Sequence, residues 1–592
     1  VIGHWNVTNF KSVAEANLPL APLTIFAGAN SSGKSSLLQS ILLVAQTLTA
    51  RVGTQPIILN GHYIKLGQLD DLRNSITGEN RITLGWSITP DIPDNSTMSR
   101  LRRLQARIEA ISCHIIFGLS DPKLGSEQLN PTLFELSLSS RAREQLDETN
   151  RESQIRLIRK RTVEQQAKSQ DPQARFRLIT EFDIELDKES TEDLRDDYSD
   201  AKAFGCFLDS FLPTSLVVSF DEKAEIIRSI VGALTRTPRH RFERELSGQG
   251  TQIPKNIIID LVKIMPELER TLAGFNLLFH EGTIPLNEVL DRLRRVRTNL
   301  APEIVTAIEN ATGNILTSHR GIIIAPLPGR TLDSAVDFTR DFFSSQVKYL
   351  GPLREEPKAI YPIQYTSDPQ DIGLHGEHTA AVLHRNRYLD VKYLPSSNFT
   401  DQATSTAEQT IALEDAVFDW LEYLDVAKKV DTSDEGKFGY SLKVIMAGGS
   451  VPHDLTHVGV GVSQVLPIVV MCLLAARDTT IILEQPELHL NPKVQTRLAD
   501  FFLSMAMLRK QCLIETHSEY LINRLRLRSV LAEGSSVSEL LKLYFVEMAG
   551  GLTSYRDVKI NEYGTILDWP SGFFDQNQRE IESIILAASQ KR

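Results

Sequence analysis

Cysteine is scarce and scattered. The four residues Cys113, Cys206, Cys472 and Cys512 stand far apart with no C-x-x-C pair, a spacing that suggests neither a zinc clip nor a disulfide framework. Long apolar runs are missing as well, since a membrane span needs roughly 18–20 such residues and the longest run, Val465–Ala476, is shorter. The opening stretch VIGHWNVTNFKS has neither the basic nor the apolar segment of a signal peptide and reads as a first strand without its initiator Met. Together these absences lead us to expect a cytoplasmic chain with no membrane anchor. Excess positive charge is absent: the net charge is −11 and the pI about 5.7, which excludes a polycation that coats nucleic acid. Internal repeats and sustained heptads are not visible either.

What remains is ordinary globular material, 42% apolar and 23% charged over 592 residues. That length suits about three to four domains, or one large domain with insertions.

The strongest local pattern is Gly28-Ala29-Asn30-Ser31-Ser32-Gly33-Lys34-Ser35-Ser36, which fits the phosphate-loop pattern G-x-x-x-x-G-K-[ST]. It lies between a short apolar strand, Leu23 to Phe26, and a helical repeat of apolar residues from Ser35 onward. The glycines permit a tight turn that aims backbone N–H groups at phosphates, Lys34 reaches the β- and γ-phosphates of ATP, and Ser35 offers its hydroxyl to Mg2+. Gln68 ends an extended segment, where it either touches the metal and the attacking water or is a solvated loop residue.

A second set of motifs lies far downstream. Thr479–Glu484 reads as a buried strand delivering a carboxylate to the metal, and Gln485-Pro486-Glu487 follows it. Upstream, Gly459, Gly461 and Ser463 form a turn that opens an apolar helix; downstream, a strand from Cys512 ends at His517. His453, Asp454 and His457 lack the remaining ligands of a metal site. Arginines cluster at 100–107, 156–161, 236–244 and 292–297, as solvated faces or as a nucleic-acid or partner surface. The helices we expect in this region run over 99–110, 142–170 and 286–310. Arg524, Arg526 and Arg528 either touch phosphate or face solvent.

With these elements in hand, the chain resembles the ATP-binding-cassette class of ATPases and its chromosome-maintenance and overcoming-lysogenization-defect relatives. The resemblance implies an α/β fold: an ABC-type head whose mixed sheet is built from N- and C-terminal segments, with a large, mostly helical insertion. It makes Gly459, Gly461 and Ser463 the signature that completes the site of a second subunit, Glu484 the Mg2+ carboxylate, and His517 the switch histidine at the γ-phosphate. The phrases YLGPLREEP (Tyr349–Pro357), VGVGVSQVLP (Val458–Pro467), EQPELHLNP (Glu484–Pro492) and the tail around Ile560–Gly564 and Trp569–Gln576 are similar to a family of prokaryotic ATPases that end in a domain of unknown function. That group includes the ATPase subunit of Septu-type anti-phage defence, which implies an HNH nuclease partner and, in retron-linked cases, a reverse transcriptase and its msDNA.

The expected division is residues 1–88 as N-terminal lobe, 89–346 as insertion, 347–530 as C-terminal lobe and 531–592 as a family-specific segment. The expected function is an ATP-sandwich homodimer, or a higher homo-oligomer, that regulates a nuclease. An overcoming-lysogenization-defect nuclease and a repair or chromosome-maintenance ATPase are the alternatives. Gln485 stands where cassette ATPases carry the glutamate that polarises water, and an amide cannot accept a proton. Either Glu487 supplies the carboxylate or turnover is slow, and slow turnover is the preferred reading.

Overall fold

The computed structural model describes residues 1–50, 55–90, 107–119, 131–143, 150–160, 181–235, 251–272, 282–296, 300–362, 368–400, 404–531, 536–561, 563–566 and 576–589. They fall into two compact units, one of residues 1–97, 109–134 and 337–592, the other of residues 98–108 and 135–336.

In the first unit, β1 (Ile2–Phe10) and β2 (Val13–Pro19) bury only part of their side chains, whereas β3 (Leu23–Gly28) is buried throughout. Partial burial suits a sheet with one open face; complete burial suits a strand covered on both. Accordingly β1 and β2 join β4 (Arg81–Ile88) and β5 (Arg107–Gly118) in antiparallel order β2-β1-β4-β5. Trp5 stacks on Trp86 with ring centroids 5.5 Å apart, and its indole N–H donates to Ser40 Oγ at 2.8 Å. Ser40 lies on α1 (Lys34–Thr49), so this bond ties the antiparallel sheet to the helix that follows β3.

Five further strands of the unit are β6 (Val347–Leu350), β7 (Thr480–Glu484), β8 (Gln511–Thr516), β9 (Leu541–Ala549) and β10 (Leu552–Asp557). With β3 they form a six-stranded sheet in the order β6-β7-β8-β3-β9-β10. All neighbours run parallel except β9 and β10. The fold is thus α/β, with a mixed sheet drawn from both ends of the sequence. Four helices accompany these strands: α2 (Leu413–Tyr423), α3 (Gly461–Leu474), α4 (Pro492–Met507) and α5 (Glu519–Leu531). Trp420 of α2 is fully buried and meets Phe501 of α4 edge-on at 5.0 Å. β9 pairs directly with β3, so the family-specific segment at 531–592 supplies two strands of this sheet.

The second unit carries about as much strand as helix among the described residues, which corrects the expectation of a mostly helical insertion. Where a helix was expected over 142–170 there is a strand, Asn150–Arg159, that buries Ser153, Ile155 and Leu157. That is the two-residue period of a sheet. Arg156 consequently pairs with Glu135 and Glu185 on the flanking strands, and Arg159 with Glu181. The helix expected over 286–310 is two, Leu286–Leu293 and Pro302–Ile315, the second with proline in its first turn. The helix expected over 99–110 lies mostly outside the described residues, and from Arg107 the chain is in β5. Arg100, Arg102, Arg103, Arg161, Arg236, Arg239, Arg241, Arg244 and Arg297, and Trp569–Asp575 of the tail, also lie outside them.

Candidate functional site

The turn between β3 and α1 is held from three sides. Gly33 has φ +97°, a left-handed conformation that side chains rarely adopt, and a Cβ there would lie 2.1 Å from Thr553 Oγ1. At Gly28 a Cβ would lie 2.2 Å from the Val546 carbonyl oxygen. Thr553 of β10 donates to the Ser32 carbonyl at 2.9 Å, and Tyr555 donates to that of Gly33 at 3.0 Å. No side chain caps the first turn of α1, so its N–H groups and the positive end of the helix dipole are open to an anion. Lys34 folds back onto the loop, donating to the carbonyls of Gly28 at 3.1 Å and Ala29 at 2.6 Å. Burial holds its pKa below the usual lysine range, against the pull of Glu515 and Glu487.

Residues 30–35 line a cleft of about 590 Å3 together with Gln485, Leu488, Glu515 and His517. The ends of β7 and β8 therefore meet the phosphate loop in one place. Ala29, Asn30 and Ser31 are exposed; Ser32 and Ser36 are buried. His517 has its pKa lowered by burial and by Lys34, while a bond to the Gly28 backbone opposes the shift. Its own backbone N–H is caught by Glu487 Oε1 at 2.6 Å. Glu487 is buried, with its pKa raised by that burial, and it braces the turn at His517 instead of lining the cleft.

Glu484 does not line the cleft either. Its Oε1 accepts from the Tyr349 hydroxyl at 3.0 Å, and Arg354 donates to its carbonyl at 3.4 Å. Burial first, then the Glu515 carboxylate, pushes its pKa up to about 7. Tyr349 and Arg354 come from YLGPLREEP, a stretch to which sequence reasoning assigned no role at the site. Arg354 is buried, with its pKa lowered to about 10 by that burial, and neither its Nε nor its Nη1 has a hydrogen-bond partner.

The residue that sequence reasoning missed is Glu515. Its Oε2 accepts from the Ser35 hydroxyl at 2.7 Å, and Gln485 donates its backbone N–H to the Glu515 carbonyl at 2.8 Å. The signal was present: an acid near the end of a largely apolar strand, two residues before His517.

Other expected residues are not brought to the cleft. Gln68 is exposed, and its backbone N–H donates to Asp71 at 2.9 Å. Ser463 is buried and donates to the Val460 carbonyl at 2.7 Å; Gly459 has open space around it and Gly461 almost as much. The arginines after His517, expected to touch phosphate or face solvent, lie on α5 and have protein partners. Arg524 and Arg528 both face Asp500, and Arg526 donates to the Gly564 carbonyl. His453, Asp454 and His457 do not assemble with further ligands, and among the described residues no three or more His, Cys, Asp or Glu form a metal cage. A hydroxyl and a carboxylate at a phosphate loop nevertheless suit Mg2+, which keeps waters and substrate phosphates as most of its ligands. Among the described residues no helix is long and apolar enough to cross a membrane.

Comparison with known proteins agrees with this placement in part. No curated protein matches the chain. Among solved structures, the chain is similar to an Smc head domain with an extended coiled coil from Pyrococcus furiosus, bound to the C-terminal domain of ScpA. The identity is 9%, the TM-score 0.32, and 98% of this chain and 99% of that one are covered. For the SMC head domain from Thermotoga maritima the figures are 9%, 0.29, 94% and 99%. TM-scores this low carry no weight, and the sheet order rests on its own hydrogen bonds. Residues 538–584, which contain β9 and β10, match a protein of unknown function (DUF3696). Residues 390–522, which contain β7, β8 and His517, match the AAA ATPase domain.

Proposed function

We propose that this chain binds ATP with Mg2+ at the β3–α1 loop, hydrolyses it slowly, and uses it to join two copies head to tail. The observation that carries this reading is the single cleft shared by the phosphate loop, the β7 end at Gln485 and the β8 end at Glu515 and His517. Loop amides and Lys34 would take the phosphates, and Lys34 would exchange its two carbonyl partners for phosphate oxygens. Ser35 and a carboxylate from a neighbouring strand end would hold the metal, which supplies charge neutralisation at the β- and γ-phosphates. Gln485 in the cleft can orient water but not deprotonate it, and Glu487 is occupied at the His517 backbone; both favour slow turnover.

The open glycines of Gly459–Gly461 support the second half of the reading. They lie outside the cleft and leave room for a ligand held by another copy. The wording of YLGPLREEP and of the tail supports a regulatory subunit of an anti-phage complex acting on an HNH nuclease, with or without a reverse transcriptase and msDNA. A nuclease site within this chain has no supporting acidic cluster among the described residues.

The test is fluorescent-ATP binding together with mass measurement in the presence and absence of ATP and Mg2+. Lys34→Ala should lower nucleotide affinity at least about a hundredfold, the loss of several charge-assisted contacts. Ser463→Arg should bind nucleotide yet stay a monomer. An ATP-dependent dimer formed by the Ser463 variant would sink the sandwich, and unchanged binding by the Lys34 variant would sink the nucleotide site.

A further inference from the structure

β7 and β8 are parallel neighbours; β7 ends in Glu484, and Glu515, the last residue but one of β8, stands in register with it. The two carboxylates have different surroundings. Glu484 is turned to the Tyr349 hydroxyl, with Arg354 on its carbonyl. Glu515, 3% exposed, accepts the Ser35 hydroxyl at 2.7 Å and borders the phosphate cleft, which Glu484 does not. We propose, resting on the nucleotide reading above, that Glu515 and not Glu484 is the carboxylate that holds the metal ion with Ser35.

The physical reason is proximity and preorganisation. A hydroxyl that donates its hydrogen to a carboxylate keeps its oxygen lone pairs for a cation, and a dication seated on Ser35 is then within direct or one-water reach of Glu515. Mg2+ asks for little more from protein, because one or two carboxylates with phosphates and waters fill its six positions. Gln485 also bonds the Glu515 side chain, as outer-shell partners of metal-binding carboxylates do. Glu484, tied to Tyr349, is a positioning residue for the YLGPLREEP segment.

Manganese titration of the full chain, read by electron paramagnetic resonance with a non-hydrolysable ATP analogue present, measures this directly. Glu515→Gln should weaken manganese binding by at least about tenfold, and Glu484→Gln should leave it within about twofold. Binding of the analogue in EDTA should be no weaker in either variant than in the wild type, which separates metal loss from loop damage. If Glu515→Gln fails that control, Glu515→Asp replaces it, with weaker manganese binding expected from the shortened arm. Manganese affinity unchanged in the Glu515 variant that passes the control, or lost in Glu484→Gln alone, overturns the assignment while leaving the nucleotide site intact. A wild-type chain that binds no analogue in EDTA or with metal overturns the nucleotide reading itself.

Discussion

In the six-stranded sheet every residue of β7 and β8 is buried, whereas the insertion strand Asn150–Arg159 buries alternate side chains. The same contrast governs charge. In the first unit Asp500 and Arg528 are both fully buried and bonded at 2.6 Å, with Arg524 on the same carboxylate at 2.8 Å. In the insertion, Glu225 apart, ion pairs such as Arg159–Glu181 remain about a fifth exposed. A fully buried ion pair leaves an uncompensated charge when one partner is removed, whereas a partly exposed pair is screened by solvent. The lesson is that an unmatched charge means much more at the Asp500 cluster than at the Arg159–Glu181 pair.

The sharpest way to break that comparison is Asp500→Ala. It strands one fully buried guanidinium and one nearly buried one, and should cost about 3–5 kcal/mol of stability in urea unfolding. Gly33→Ala comes next: the left-handed φ and the close approach of Thr553 should cost about 1–3 kcal/mol and abolish tight nucleotide binding, read by the fluorescent analogue.

Lys510 gives a pH-resolved version. It donates to the carbonyls of Cys472 and Leu473 at the end of α3, both at 2.9 Å, and burial lowers its pKa to about 8 from 10.5. Between those values the unfolded chain binds the extra proton, so stability should rise with pH, by at most about 1.4 kcal/mol per pH unit. Below pH 8 both states are protonated and the slope vanishes. Urea midpoints from pH 7 to 10.5 should show this rise in the wild type and a flatter profile in Lys510→Met. The smallest effect belongs to the insertion: Glu181→Gln opposite Arg159 should change stability by less than about 1 kcal/mol. A loss equal to that of Asp500→Ala would erase the distinction between the units.

The same distinction explains what could be read in advance. Strand β3, helix α1, and the β7 and β8 strands are largely apolar runs, and each stands within a residue or two of its expected place. In the insertion, Ile155 and Leu157 showed a two-residue period that the surrounding arginines masked, because long polar side chains suit either element. At the site, the contiguous stretch 28–36 stands where its local pattern put it, at the turn from β3 into α1. Glu515 was not legible in this way, since its meaning depends on β8 lying between β7 and β3, a fact of topology. Nor was the role of Thr553 and Tyr555, which reach the loop across a separation that no local pattern records.

That separation sets a timetable. Thr553 stands 521 residues after Ser32, whose carbonyl it holds. At about 5–20 residues per second of synthesis, the loop waits on the order of half a minute to two minutes for its brace. Both parallel neighbours of β3 also come late, β8 at 511–516 and β9 at 541–549, only shortly before Thr553 itself. The cleft is therefore assembled late in biosynthesis, after the insertion has been made. A ribosome that stalls inside the insertion would leave a chain carrying the phosphate-loop sequence and no cleft around it.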